Sequence, residues 1–254
     1  MSSQALQSIM RGYNEKGKTK VLSPGTGLQF EIFEAEIFNR SGGAIDAGIG
    51  VRYGDTPAFW KAGNIDVSAT PDYVDFTDDI QAGTTVDLIS TTVNDGYLIQ
   101  CKDLFSLIGL TISQAEGGSP VYTIEYYNGT AYTSLTTVET ISAYTATDLY
   151  HVFIPPHDWV AGTTAAVGGD SDMYSIKVVA TTATSQAVQC DAIWIGRFLA
   201  FTEALADNGT YKWTVPNVGG MEPGCHLLES TEGIIPYFGT ANAGNIVRVV
   251  YKSR

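Results

Sequence analysis

The sequence predicts an all-β protein: a β-sandwich, jelly-roll-like or Ig-like, joined to a second β domain. Charged residues make up only 16% of the 254 residues and hydrophobic residues 44%, which is enough apolar material to form a core. Thr, Ser, Gly and Tyr are abundant, and these residues favour strands and turns over helices. Short segments with alternating apolar and polar residues recur along the chain, separated by turn residues.

Residues 25–92 form the first β segment. Apolar and polar residues alternate over Leu28–Ile32, and the alternation continues over Phe33–Ile37 with its phase shifted by one residue. A two-residue period that shifts in this way predicts a β-bulge near Ile32 and Phe33. A turn then leads into Ala44–Tyr53, which is the second strand of a hairpin.

Residues 93–198 carry the signal of the central β-sandwich. Several short strands follow one another at fairly regular spacing, with turns between them. The strongest local signal is Asn128-Gly129, which lies directly after the alternating segment Tyr122–Tyr127. An Asn-Gly pair between two such segments predicts a tight hairpin, with Tyr132–Thr137 as the returning strand.

The two ends of the chain flank this sandwich. Residues 199–254 hold strand segments but too much turn material for an independent core, so we expect them to pack with residues 25–92. The central sandwich is then an insertion into a domain built from both ends. Residues 1–24 are expected to form an extended arm, in which Ser3–Met10 makes one or two helical turns that need a partner surface.

Charge is distributed unevenly along the chain. The net charge is −13, yet residues 1–20 and the last seven residues together carry +6, which leaves −19 on residues 21–247. An acidic body disfavours nucleic acid, whereas basic ends suit acidic protein surfaces; the alternative is that the ends are merely solvated tails. The basic residues predicted to bind a partner are Arg11, Lys16, Lys18, Lys20, Arg248, Lys252 and Arg254.

No motif for catalysis, a resident metal or a cofactor is present. The three histidines lack zinc-ligand spacing, and neither a nucleophile elbow nor a phosphate-binding loop occurs. Two acidic groups leave calcium open as an alternative, although ordinary loops have the same spacing. These groups are Asp170-Ser171-Asp172 and the trio Asp75, Asp78 and Asp79.

Targeting and redox signals are also weak. No apolar run is long enough for a membrane helix, and residues 1–20 lack the apolar stretch of a secretory signal, so we expect folding in a cytoplasm. Cys101, Cys190 and Cys225 are too few and scattered for a disulfide framework, although one pair could be bridged.

Three segments of the central region resemble parts of tailed-bacteriophage virion structural proteins. The first is Tyr122–Tyr132, with the sequence YTIEYYNGTAY, where an aromatic pair, Asn-Gly and a further aromatic form one hairpin of a β-sandwich. Phe153–Trp159 and Tyr174–Val178 follow in the same order. Tyr stands at positions 127 and 132, where Trp is frequent in those proteins; both residues are large flat rings with a polar tip.

The resemblance implies a non-enzymatic virion component, made in the host cytoplasm. Our leading hypothesis is a capsid decoration or cement protein that binds the major capsid protein and copies of itself as a homotrimer. The alternative is a tail or fibre module that binds a host-surface glycan. Tyr127, Tyr132 and Trp159 are candidates for such a binding surface, although most aromatic residues are expected to fill the core.

Overall fold

The computed structural model describes residues 6–13, 15–24, 26–55, 59–70, 72–214, 226–228 and 231–253. The strands, in chain order, are β1 (Gln7–Gly12), β2 (Phe30–Phe38), β3 (Ile45–Arg52), β4 (Trp60–Ile65), β5 (Tyr73–Asp75), β6 (Val86–Ile89), β7 (Gly96–Cys101), β8 (Leu107–Gln114), β9 (Tyr122–Tyr127), β10 (Tyr132–Ser134), β11 (Thr137–Glu139), β12 (Asp148–Phe153), β13 (Tyr174–Ala180), β14 (Val188–Leu205), β15 (Thr210–Thr214), β16 (His226–Leu228), β17 (Gly233–Phe238) and β18 (Ile246–Ser253). A short helix, α1 (Thr77–Gln81), lies between β5 and β6. The predicted all-β, sandwich-type fold is confirmed.

The chain divides into two compact units. The terminal unit comprises residues 1–54 and 196–254, and the central unit comprises residues 55–195. The chain passes from the central unit back to the terminal unit within β14. Residues 55–92 therefore belong to the central unit, whereas the sequence grouped them with the N-terminal segment. They do so because β4 pairs with β7 and places Trp60 and Ile65 in the core of that unit.

The central unit contains two antiparallel layers. One has the strand order β10-β9-β13-β7-β4-β5, and the other has β11-β12-β8 followed by the first part of β14, which also pairs with β6. Every residue of β7 is buried, so this strand lies in the middle of the core. Gly109 of β8 is needed for this packing, because a Cβ there would lie 2.0 Å from the ring of Trp194.

The terminal unit is also built from antiparallel strands. One sheet has the order β1-β18-β2-β15, with β16 also paired to β2. The second part of β14 pairs with β3, and β3 in turn pairs with β17. The predicted bulge is confirmed: Glu34 lies opposite Val250 and Ile32 opposite Tyr251, which leaves Phe33 as the extra residue.

The hairpin predicted to join β2 to the strand over residues 44–53 is wrong, because β2 pairs with β15, β16 and β18, whereas β3 pairs with β14 and β17. Later segments of the chain thus supply the partners of both strands. Ile32 of β2 and Ile49 of β3 are both buried in the core of this unit.

Residues 6–22 do not form the predicted arm with a short helix. Ser3 to Ala5 lie outside the described residues, but β1 is a strand that pairs with β18 throughout its length. Downstream of it, Tyr13 and Leu22 are buried, and the backbones of Val21 and Ile234 are joined by a 2.9 Å hydrogen bond. An isolated helix of this length is unstable, whereas an adjoining sheet edge satisfies the backbone of a strand.

Two further predictions concern cysteines and membranes. Cys101 and Cys190 are both buried and unbridged, and Cys225 lies outside the described residues. Burial raises the pKa of the Cys190 thiol to about 12, so this group is an apolar core residue rather than a reactive one. Within the described part of the chain, no helix has the length and apolarity needed to cross a bilayer.

Candidate interaction surfaces

The predicted partner-binding cations are placed very differently from one another. Arg11 lies exposed on β1, and no ion pair of its guanidinium occurs within the described residues. Lys16, Lys18 and Lys20 are half-buried in the segment that packs against the terminal unit. The Nζ of Lys20 donates a 2.5 Å hydrogen bond to the carbonyl of Thr231. The carbonyl of Lys16 accepts a 2.9 Å hydrogen bond from the N–H of Phe238, and that of Lys18 accepts a 3.0 Å hydrogen bond from Nη1 of Arg52. Lys20 thus fastens the segment to its own unit through its side chain, and Lys16 and Lys18 do so through their backbone.

The C-terminal cations are divided between an internal contact and the strand surface. Arg248 donates hydrogen bonds from Nη1 to Glu34 at 3.0 Å and to Glu36 at 2.9 Å. Lys252 is half-buried on β18, opposite Glu31 in the strand register, and Arg254 lies outside the described residues.

Lys212 completes an ionic cluster on this sheet. Its Nζ lies 2.5 Å from a carboxylate oxygen of Glu34 and 3.5 Å from one of Glu36. Contact with Glu34 raises the pKa of Lys212, and contact with Glu36 raises that of Arg248. Two carboxylates and two cations thus neutralise one another, so Arg248 already has partners within its own sheet.

The Tyr122–Tyr132 segment forms the predicted hairpin. β9 pairs with β10, the Asn128 Oδ1 accepts hydrogen bonds from the backbone N–H groups of Thr130 and Ala131, and Gly129 has a φ of +93°. This φ lies in the left-handed region, which favours glycine over other residues. The sequence signal of Asn-Gly therefore acts through the turn conformation that the hairpin requires.

The aromatic side chains of this hairpin are held by intramolecular contacts. The rings of Tyr127 and Tyr132 lie 5.7 Å apart, and the Tyr132 hydroxyl bonds to Thr163 at 3.0 Å and to Ser175 at 3.1 Å. Burial raises the pKa of Tyr132. The Nζ of Lys177 lies 4.7 Å from the centre of the Tyr132 ring. These rings thus stabilise the sheet more than they cover an open surface.

Trp159 is a core residue, which removes it from the set of predicted surface residues. Only 6% of its surface is exposed. Its ring contacts Phe105, Phe153, Tyr126 and Tyr174, with centroids 5.0, 5.9, 6.4 and 5.6 Å away. Edge-to-face contacts of this kind add to the burial of apolar area. The sequence could not show this, because Trp159 follows two prolines in a segment without strand periodicity.

A network of hydrogen-bonded polar groups lies in the core of the central unit. The Tyr97 hydroxyl shares hydrogen bonds of 2.8 Å with the Tyr144 hydroxyl and with Nε2 of His151. Glu116 accepts hydrogen bonds from the Tyr122 hydroxyl at 2.5 Å and from the backbone N–H of Tyr144 at 3.0 Å. The side-chain contacts therefore run from Tyr144 through Tyr97 to His151, and Glu116 adjoins them through the backbone of Tyr144.

Burial keeps the histidine and the two central tyrosines of this network neutral. It lowers the pKa of His151 to about 3 and raises the pKa values of Tyr97 and Tyr144 above their ordinary value. A neutral imidazole surrounded by core residues has no access to a substrate. We interpret this hydrogen-bonded network as a structural element that satisfies polar groups inside the sandwich.

One member of each acidic cluster considered for calcium has an internal partner. The Nζ of Lys61 lies 2.9 Å from a carboxylate oxygen of Asp170, and Asp75 accepts hydrogen bonds from the backbone and hydroxyl of Thr77. A cavity of about 610 Å³ next to them is lined by Lys61, Asp75, Phe76, Thr77, Asp78 and Asp79. Among the described residues, no three His, Cys, Asp or Glu side chains are grouped to hold one metal ion.

A second pocket, an open groove, lies on the sheet of the central unit that contains β4, β9 and β13. It has a volume of about 360 Å³, and Ile65, Val167 and Val179 contribute its apolar lining. The polar lining consists of Asp72, Asn94, Thr123, Glu125, Lys177 and Thr181. Glu125 and Lys177 form an ion pair of 2.7 Å in its wall. The groove therefore combines apolar side chains with groups that donate and accept hydrogen bonds.

Comparisons with known proteins assign no family to the chain. No family model matches it, and no curated protein does. Two solved structures that align with it are described as the structure of the infectious bursal disease virus Gx strain and as the VP2 subviral particle of that virus. They are 13% and 11% identical, and each alignment covers 98% of this chain and 80% of the other. Both TM-scores are 0.16, too low to carry an argument.

Proposed function

We propose that the chain is a non-enzymatic structural protein of a virus particle, most specifically a capsid decoration protein. In this role it binds the major capsid protein and copies of itself, and it stabilises the head through many modest contacts. Repetition on a lattice turns such contacts into strong overall attachment, because neighbouring sites raise the effective concentration of one another.

One observation carries the proposal: the three segments that resemble phage virion proteins lie together in the central unit. Strand β13 pairs with β9 of the hairpin, and the Trp159 ring lies between Tyr126 of β9 and Tyr174 of β13. Segments that are distant in sequence thus form one packed module. This arrangement supports the resemblance as one of structure, beyond a set of separate short motifs.

The structure also changes which residues we assign to partner contacts. The side chains of Arg248 and Lys20 are engaged within the terminal unit, and Trp159 is buried. Arg11 remains as an exposed cation on the edge strand of a sheet. Contacts with an acidic neighbour are therefore assigned to β1.

The first test measures where the protein is found on particles. Particles that contain the chain are separated into heads and tails on a density gradient, and each fraction is probed with an antibody against the chain. We expect the protein in the head fraction at a copy number that scales with the capsid lattice. Its absence from particles would refute a virion role altogether.

A substitution sharpens this test. Arg11→Glu should reduce head occupancy several-fold at physiological salt, because it replaces an attractive charge with a repulsive one on the edge strand. Lys102→Glu is the matched control, since Lys102 is exposed in the central unit. Deleting residues 1–20 is a poor test, because it also removes β1 and the buried Tyr13. Equal occupancy of both variants would remove Arg11 from the contact.

The groove on the central unit favours a second candidate function, the binding of a host-surface glycan by a tail or fibre module. The Asp72 carboxylate, the Asn94 amide and the Thr123 hydroxyl line it, and such groups bond to sugar hydroxyls. The same fractionation separates the two functions: recovery in the tail fraction, together with binding of the purified chain to host polysaccharide, would replace the decoration role with this one.

A further inference from the structure

Strand β1 presents an edge whose hydrogen-bonding groups can be assigned from the register. The backbone N–H of Tyr13 bonds to the carbonyl of Asn245, and β1 continues this pairing with β18. Hydrogen-bonded pairs alternate along an antiparallel ladder, so Gln7, Ile9 and Arg11 direct their backbone groups towards β18. The N–H and C=O groups of Leu6, Ser8 and Met10 therefore point away from the sheet, on a side where the described residues place no further strand.

Other features set this edge apart from an ordinary terminal strand. Leu6 is 63% exposed and Met10 is 61% exposed, which is unusual for large apolar side chains on a strand. Pro, Lys and bulges normally protect an open edge, yet the register of β1 is regular and its sequence from Leu6 to Met10 holds none of these residues. By contrast, the edge at β5 is covered, since the N–H of Tyr73 bonds to the carbonyl of Val167.

The pattern of the free edge is symmetric about Ser8. Leu6 and Met10 lie two residues to either side of it and on the same face of the strand. If a second β1 runs antiparallel with Ser8 facing Ser8, each Leu6 lies opposite the Met10 of the other copy. All outward backbone groups of the three residues then find partners, in about six hydrogen bonds. Arg11 lies outside the paired stretch, so the two guanidinium groups do not face each other.

We propose that the free edge of β1 is a self-association site, at which two copies of the chain pair antiparallel. The two-fold axis passes midway between the two Ser8 residues. The inference rests on the proposed function in that it names how copies of a structural protein meet. A second copy fits this edge because an isologous contact requires a self-complementary pattern, and the Leu6-Ser8-Met10 arrangement has one. The contact makes pairs, which differs from the homotrimer expected from the sequence.

Disulfide trapping tests the register directly. The full chain is prepared with Cys225→Ser, so that an introduced cysteine is the accessible thiol beside the buried Cys101 and Cys190. In the proposed pairing the two residues at position 8 lie about 5.5 Å apart at Cα, within the range for a disulfide. The two residues at position 7 lie about 8 Å apart and are too distant.

We expect Ser8→Cys to give at least ten-fold more disulfide-linked dimer than Gln7→Cys under mild oxidation, as measured on non-reducing gels. Equal yields, or a higher yield for Gln7→Cys, would overturn the proposed register. The comparison is sharp because both positions are exposed on the same strand.

Sedimentation velocity supplies the second measurement. The wild-type chain should form a dimer that dissociates on dilution, and Ser8→Pro should weaken its association at least ten-fold. Proline at position 8 removes an N–H that faces away from β18, so the internal ladder stays intact and the thermal midpoint should change little. A wild-type monomer at all concentrations, or a trimer, would overturn the proposal.

These outcomes are separate from those of the particle test. A chain that dimerises through β1 but is absent from particles would refute the proposed function and leave this inference intact. A chain that decorates heads as a monomer would refute this inference and leave the proposed function intact.

Discussion

The central unit buries its polar cluster and keeps it neutral, whereas the terminal unit keeps its polar cluster charged and near the solvent. In the first, Tyr97 joins Tyr144 to His151 without a formal charge along the buried contacts. In the second, Arg248 and Lys212 bind the carboxylates of Glu34 and Glu36 on a sheet surface.

The difference shows how solvent access decides which polar groups a sheet can hold. A charge in a dry core loses its hydration, so the buried histidine releases its proton and hydrogen-bonds as a neutral ring. At the surface, water supports the charged forms and weakens their attraction, so each ion pair there adds little stability. The two clusters should therefore respond in opposite ways to mutation, pH and salt.

The largest loss of stability is expected from Tyr97→Phe. This change removes one hydroxyl and leaves both the Tyr144 hydroxyl and Nε2 of His151 without that partner in the core. Each unsatisfied buried group costs about 1–3 kcal/mol, so for the two groups we expect a loss of roughly 2–6 kcal/mol in the free energy of unfolding. Urea denaturation measures it, and Tyr127→Phe, which loses one exposed bond to Gly129, is the control. Equal losses for both variants would contradict the buried network.

The second-largest expected effect is a dependence of stability on pH that arises from His151. Burial lowers the pKa of His151 to about 3, whereas the unfolded residue titrates near 6.5. Below pH 6.5 the unfolded chain therefore binds a proton that the folded chain does not, and stability falls as the pH falls towards 3. The slope contributed by this group is about 1.4 kcal/mol for each pH unit between the two pKa values.

The pH prediction is checked by the difference between wild type and His151→Gln. Unfolding free energies at pH 4, 5, 6 and 7 contain contributions from carboxylates in both proteins, and these cancel in the comparison. The variant should lack the histidine slope between pH 6 and 4. Parallel curves would show that His151 does not titrate on unfolding.

The smallest loss of stability is expected from Arg248→Ala in the ionic cluster of the terminal unit. Lys212 remains beside both carboxylates, and salt screens these partly exposed pairs, so the urea midpoint should be close to that of the wild type in 0.5 M NaCl. A small loss should be measurable only at low ionic strength. A large loss that persists at high salt would mean that the two clusters are energetically alike.

Much of the fold follows from local sequence patterns. Alternating residues predicted β2 and β9, and the shift of phase within β2 predicted its bulge. Asn128-Gly129 predicted a hairpin because its signal is conformational and acts between neighbouring residues.

Features that depend on distant partners were missed or misplaced. Strand β4, with the sequence WKAGNI, has weak alternation and is held by its pairing with β7. Strand β1 resembles a short helix in sequence, yet the edge of β18 offers backbone partners that a helix would leave unused. The partners of Arg248 on β2 lie more than 200 positions away in the chain.

By itself, the sequence determined the all-β class, the positions of most strands and the hairpin, because alternation and turn chemistry operate over a few residues. The tertiary structure alone decided which charges and rings remain available for contact. Trp159, Arg248 and His151 carry no local mark of their surroundings, since burial and ion pairing depend on segments that meet only after the chain has folded.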